Sequence, residues 1–170
     1  MSVIGCDPSV DHPAFATWPQ RGIYQLAIRA PQPRRLYELH LRVKEWAEAV
    51  APADLEAVFI ERPVGRVPSP ELVRAAGVIE AALVAGLRAA YEHPPTVFRL
   101  SPGEWKKGIG LSGNADKSTV YEWAHPLTLN ARRWRGEGGL NQSSGLTQDQ
   151  ADALAIAAAG ASLLEAEPAA

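Results

Sequence analysis

The chain has 170 residues, a length that fits one ordinary α/β or α+β domain, taken here as residues 1–170, with room for a substantial core. A formal net charge of −2 supplies no global field for a polyanion, so charge has to be read locally. The single cysteine, Cys6, excludes an intrachain disulfide framework and a cysteine-rich zinc site, and no apolar run is long enough for a membrane span or has the form of a signal peptide.

Val3–Pro8 reads as a buried strand: apolar residues run up to Asp7, and Pro8 breaks the pattern. A carboxylate at the end of such a strand is costly unless it is paired or metal-bound, and a turn or cap role is the simpler alternative. Cys6 in this run is expected to be a small buried hydrophobe. Pro13–Trp18 and Tyr24–Ala30 follow as two further short strands, a meander before any helix. Leu36, Leu39, Val43, Trp46 and Val50 then recur at helical spacing, predicting a helix over Arg34–Val50 with Arg35, Glu38, Arg42, Glu45 and Glu48 on its other face. Ala57–Ile60 is a second buried strand pattern, again ended by a carboxylate, Glu61.

Gly65–Pro70 reads as a loop. Ser69-Pro70-Glu71 has the form of a helix start, and the helix runs to about Tyr91. Its small residues (Ala75, Ala76, Gly77, Ala81, Ala82, Ala85, Gly86) suit close packing onto a sheet or, alternatively, a subunit interface. Thr96–Leu100 is a further strand, Ser101–Gly113 a loop with four glycines, and a helix from Asn114 or Ala115 runs to about Ala124. Residues 126–147 are the least regular part. Between 99 and 135, seven cations (Arg99, Lys106, Lys107, Lys117, Arg132, Arg133, Arg135) face three acids, with Trp105 and Trp134 among them. This is a local nucleic-acid signal, set against the simpler reading of a solvated face. Thr147 is placed as the cap of the last helix, whose apolar body spans Ala153–Leu164; Glu165–Ala170 is expected to fray.

Three elements thus offer carboxylates: Asp7, Glu61, and the pair Asp149 and Asp152, which share one helical face. Clustered acids raise one another's pKa unless a cation neutralises them, and oxygen donors suit Mg²⁺ or Mn²⁺. His12, His40, His93 and His125 have no ligand spacing, which argues against zinc. Spacing alone does not bring the acids together.

The residues that do so by resemblance are Ile4-Gly5-Cys6-Asp7-Pro8-Ser9, Val58-Phe59-Ile60-Glu61, Ala75-Ala76-Gly77-Val78-Ile79-Glu80, Trp105-Lys106-Lys107 with Gly113-Asn114-Ala115-Asp116-Lys117, and Asp149-Gln150-Ala151-Asp152-Ala153-Leu154-Ala155. In this order they resemble the motifs of the RuvC-type Holliday junction resolvases of the ribonuclease H-like superfamily, in compact bacterial or phage form. The resemblance implies an α/β fold with a mixed five-stranded sheet, the first three strands antiparallel and the rest parallel, flanked by helices. It implies a homodimer making paired, symmetric cuts in a four-way DNA junction that leave 5′ phosphates. Asp7, Glu61, Asp149 and Asp152 would hold two Mg²⁺ or Mn²⁺ ions, with Asp149 either a ligand or beside one. Lys117 would stabilise charge at the scissile phosphate, and Lys106 would contact the backbone. Arg62, Arg66, Lys107, Arg132, Arg133 and Arg135 are the further candidate DNA contacts. A cytoplasmic setting, in a bacterium or phage-infected host, follows from the same likeness.

Within the first motif Ser9 replaces the commoner glycine. Two departures concern cutting-sequence preference and junction selectivity: the proline-rich segment Arg62–Pro70 lacks the expected aromatic wedge, leaving Val64 or Val67, and the Arg132–Gly139 segment is peculiar to this chain. Two rivals stand beside this reading: a ribonuclease H-like nuclease for flaps or forks, and a branched-DNA-binding protein without catalysis. Retention of the four acids and Lys117 opposes the second.

Overall fold

The computed structural model describes residues 1–64, 69–128 and 145–166. Five strands, β1 (Ser2–Asp7), β2 (Ala14–Trp18), β3 (Ile23–Gln25), β4 (Leu55–Glu61) and β5 (Thr96–Leu100), form one sheet in the order β3-β2-β1-β4-β5. β1–β2 and β2–β3 are antiparallel, and β1–β4 and β4–β5 are parallel, as expected. Helices α1 (Arg35–Val50) and α2 (Pro70–Ala90) cover one face. The other face carries α3 (Pro102–Gly108), α4 (Lys117–Thr128) and α5 (Gln148–Ala166).

The period of two along the strands assigns side chains to these layers. Ile4, Cys6, Val58 and Ile60 enter the core beneath α1 and α2, whereas Val3, Ala57 and Phe59 enter the one beneath α5. Cys6 is fully buried, as its apolar strand requires. On the α1/α2 side, Phe15 stacks on Trp46 with ring centroids 4.2 Å apart. Gly86 lets α2 approach α1: an added Cβ would lie 2.6 Å from the Lys44 carbonyl oxygen. The small residues of α2 divide accordingly. Ala75, Ala76, Ala82 and Gly86 are buried, while Gly77 and Ala81 face outward.

α5 packs more closely still. A Cβ on Gly5 would stand 2.3 Å from both the Ala153 carbonyl oxygen and the Ala157 nitrogen, and one on Gly160 would meet the Phe59 ring at 2.2 Å. The alanine-rich body of α5 therefore rests its backbone directly on β1 and β4. Its start is fixed by a reciprocal cap: Gln150 N–H donates to Thr147 Oγ1 (3.2 Å), and Thr147 N–H donates to Gln150 Oε1 (3.0 Å).

Four expectations need correction. β3 ends at Gln25 rather than Ala30; beyond it the chain keeps only isolated backbone bonds, Leu26 to Pro13 and Ile28 to Asp11. The glycine-rich segment after β5 is not all loop: Pro102–Gly108 is helical, started by a complete Ser101–Glu104 capping box that outweighs the glycines. α4 starts later, at Lys117, because the Asp116 carboxylate accepts from the Thr119 backbone N–H (2.9 Å) and both neighbouring hydroxyls. It also runs past Ala124 to Thr128 with Pro126 inside. The Ser69 side chain makes no capping bond to α2. Among the described residues, no helix is long and apolar enough to cross a membrane.

Candidate active site

β1 and β4 run parallel with Cys6 opposite Ile60, so Asp7 and Glu61 leave the sheet side by side at its carboxyl edge. Both project toward the α5 layer, since each follows a residue on that face by two: Gly5 then Asp7, Phe59 then Glu61. The close seating of α5 brings its first two turns, with Asp149 and Asp152, over the same edge. A site outside the carboxyl ends of parallel strands is where open α/β sheets place their ligands. All four acids are half-buried.

Their electrostatics record the convergence. Burial, then the charges of Glu61, Asp152 and Asp149, push Asp7 well above the usual aspartate range, and Lys117 opposes them. Burial raises Glu61 as well, against the lowering effect of a hydrogen bond from Trp105. Asp152 is raised by burial and lowered in part by Gln148 and Lys117.

Neutral donors hold three of the acids. Trp105 Nε1–H donates to Glu61 Oε2 at 2.8 Å, Gln148 Nε2 to Asp152 Oδ1 at 2.9 Å, and Gln25 Nε2 to Asp149 Oδ2 at 3.2 Å. Asp7 makes no side-chain hydrogen bond among the described residues. As placed, no three acidic, histidine or cysteine side chains among the described residues close into a metal-holding group. Each tethered acid commits one oxygen to its donor and leaves the other.

Glu61 and Asp152 line a cleft of about 150 Å³ with Pro102, Trp105, Lys106, Lys117 and Val120. Lys106 Nζ donates to the Ala115 carbonyl (2.7 Å), tying α3 to the segment before α4, and lies 5.3 Å above the Trp105 ring. Lys117 is exposed at the first position of α4. Lys107 is exposed next to Lys106, and it is not among the cleft's lining residues.

Other candidates lie apart. Arg62 is exposed past β4 and, with Arg99 and Glu80, lines a separate cavity of about 340 Å³ toward α2. Arg99 pairs across the strands with Ile60, faces α2, and donates from Nε to Glu80 (2.8 Å), so it does not join the cationic cleft. Val64 is half exposed. Arg66, Val67, Arg132, Arg133, Trp134 and Arg135 lie outside the described residues.

The sequence reading missed Trp105, Gln148 and Gln25 as carboxylate partners. For Trp105 the signal was present: Ser101-Pro102-Gly103-Glu104 is a capping-box pattern, and a helix started there puts Trp105 in its first turn. Gln25 had no such signal, because its bond to Asp149 spans 124 residues.

The sheet order, the mixed pairing and the acidic carboxyl edge define a RuvC-like, ribonuclease H-like α/β fold. Solved structures of that class superpose on nearly the whole chain. Thermus thermophilus RuvC matches at 22% identity and a TM-score of 0.64, covering 97% of this chain and 96% of its own. T. thermophilus RuvC in complex with Holliday junction substrate matches at 20% identity and 0.64 over the same shares. The yeast mitochondrial Holliday junction resolvase Ydc2 matches at 18% identity and 0.56, covering 96% of this chain and 80% of its own. No protein-family model and no curated protein sequence matches the chain.

Proposed function

We propose that the protein is a metal-dependent DNA endonuclease that resolves four-way junctions by paired, symmetric hydrolysis leaving 5′ phosphates. The observation that carries this reading is the joint placement of Asp7, Glu61, Asp149 and Asp152 at one sheet edge, beside a cleft bearing Lys106 and Lys117. The superposition of nearly the whole chain on T. thermophilus RuvC in complex with Holliday junction substrate supports the choice of substrate.

The donor set fits a hard divalent cation: every candidate ligand is a carboxylate oxygen, and Asp7, raised by burial first and then by the charges of Glu61, Asp152 and Asp149, has no competing hydrogen bond among the described residues. Asp7, Glu61 and Asp152 would hold two such ions, with Asp149 as a further ligand or beside one. The ions would supply an activated water and neutralise charge on the phosphate.

The chain's own residues do the rest. Lys117, exposed beside Asp7, Glu61 and Asp152, places a cation where negative charge grows as the bond from phosphorus to the 3′ oxygen breaks. Lys106, held by the Ala115 carbonyl, contacts the DNA backbone. Lys107, Arg62, Arg66, Arg132, Arg133 and Arg135 extend the backbone contact. Two opposed cuts need two sites, so the working form is a homodimer. The outward strip of α2 at Val73, Gly77 and Ala81 is its proposed contact.

The test is incubation with four-way, forked and linear duplex DNA, with and without Mg²⁺ or Mn²⁺, mapping cuts on each strand. Symmetric cuts in the four-way substrate alone are expected. Single asymmetric cuts in forks would assign the protein to flaps or forks, and binding without cleavage would make it a structural DNA-binding protein.

A further inference from the structure

Among the described residues, Trp105 is the one aromatic side chain lining the cleft, and its placement exceeds what packing needs. The ring is 2% exposed. Its helix is held at both ends: by the Ser101–Glu104 capping box at the start, and at Gly108, where a Cβ would lie 2.8 Å from Ala159 Cβ of α5. The ring therefore has little freedom, and its single polar atom meets Glu61 Oε2 at 2.8 Å.

An indole donates and cannot accept, so this contact has one polarity only. It is also neutral. A lysine or arginine in its place would fix the carboxylate but cancel the charge that attracts a cation. The indole fixes one oxygen and leaves the charge. One such cation, Lys106, lies 5.3 Å from the ring centroid with its ammonium on the Ala115 carbonyl. The ring thus contacts both Lys106 and Glu61. Gln148 and Gln25 hold Asp152 and Asp149 in a similar way, but through flexible, half-buried side chains.

We propose that Trp105 is a positioning residue for the nuclease reaction: its buried N–H holds Glu61 Oε2 and presents the other oxygen to a divalent cation. The inference rests on the nuclease reading above. Groups that orient ligands from behind typically contribute about 10- to 100-fold in metal affinity or activity.

The test compares the wild-type chain with Trp105→Phe and with a chain carrying β-(3-benzothienyl)alanine at 105, which keeps the indole shape and replaces only the N–H. Mn²⁺ binding is read by electron paramagnetic resonance without DNA, single-turnover cleavage of a four-way junction as a function of Mn²⁺, and junction binding in EDTA. Melting temperature is recorded alongside. The isostere is expected to melt and bind junction like wild type, to hold Mn²⁺ about tenfold more weakly, and to regain its cleavage rate as Mn²⁺ is raised. Unchanged Mn²⁺ affinity in the isostere would overturn the proposal, whatever Trp105→Phe does to folding. If the wild type binds Mn²⁺ but cuts no branched DNA, the nuclease reading fails while the Mn²⁺ comparison still decides the role of Trp105. A wild type that binds no Mn²⁺ overturns both.

Discussion

The two helical layers on this sheet are built on different terms. The α1/α2 layer packs large side chains such as Leu39, Val43, Trp46, Ile79, Leu83 and Leu87, and it meets the sheet through Ile4, Cys6, Phe15, Val58 and Ile60. The α5 layer is mostly alanine, from Ala151 through Ala161, and Gly5 and Gly160 remove the side chains that would hold it away. Large side chains bury more apolar area per residue; small ones bring backbones together. Close seating of α5 sets Asp149 and Asp152 over Asp7 and Glu61. One layer mainly stabilises the fold, and the other sets the distances between charges.

The largest effect expected from breaking this division is in Asp7→Asn. Cleavage of a four-way junction should fall by about 10³-fold or more, with junction affinity retained, because the change removes a proposed metal ligand rather than a backbone contact. A gel-based cleavage and binding assay reads both. Lys117→Ala should lower the single-turnover rate by about 10²- to 10³-fold, with a much smaller loss in binding.

Next comes a paired substitution, one in each layer. Leu83→Ala should cost about 2–5 kcal/mol in denaturant unfolding and leave the rate per folded molecule within about twofold. Gly5→Ala should cost about 1–3 kcal/mol from overpacking, since its Cβ would meet α5 backbone at 2.3 Å. It should also slow cleavage in the folded fraction, as α5 must shift with its two acids. Equal effects on rate from the two changes would remove the distinction between the layers.

Much of this was legible in the sequence, and the reasons differ by element. β1 and β4 showed themselves because a buried strand ending in an acid is rare and occurs twice, at Asp7 and Glu61. The last helix showed its start through Thr147 and its apolar body. α3 was overlooked because Gly103 and Gly108 argue against a helix in a window of seven residues, although Ser101, Pro102 and Glu104 carry the pattern of a capped helix start. The length of β3 was overread because Leu26 and Ile28 keep strand-like alternation after pairing has stopped. The tethers on the acids join positions distant in the chain, such as Gln25 and Asp149, and only the fold brings them together.

The smallest expected effect concerns pH without added metal. Asp7 is raised in the folded state, by burial first and then by Glu61, Asp152 and Asp149. Above its folded value the group is ionised in both states, and the folded one bears the repulsion. As pH falls through that value toward the ordinary aspartate range, the folded protein takes up the proton first and gains stability, at about 1.4 kcal/mol per unit of separation. Melting temperature without metal should therefore rise as pH is lowered from neutrality. Asp7→Asn should be more stable than wild type at neutral pH by about 2 °C or more and should flatten that rise. Differential scanning calorimetry at several pH values reads both.

The most direct measurement of the central claim is strand-by-strand mapping of a mobile four-way junction incubated with wild type and Asp7→Asn in Mg²⁺ or Mn²⁺. The proposed function predicts symmetric cuts on two opposed strands with 5′ phosphate ends, absent without metal and absent in Asp7→Asn. Cleavage by Asp7→Asn at the wild-type rate, or an intact junction after incubation with the metal-loaded wild type, would contradict it.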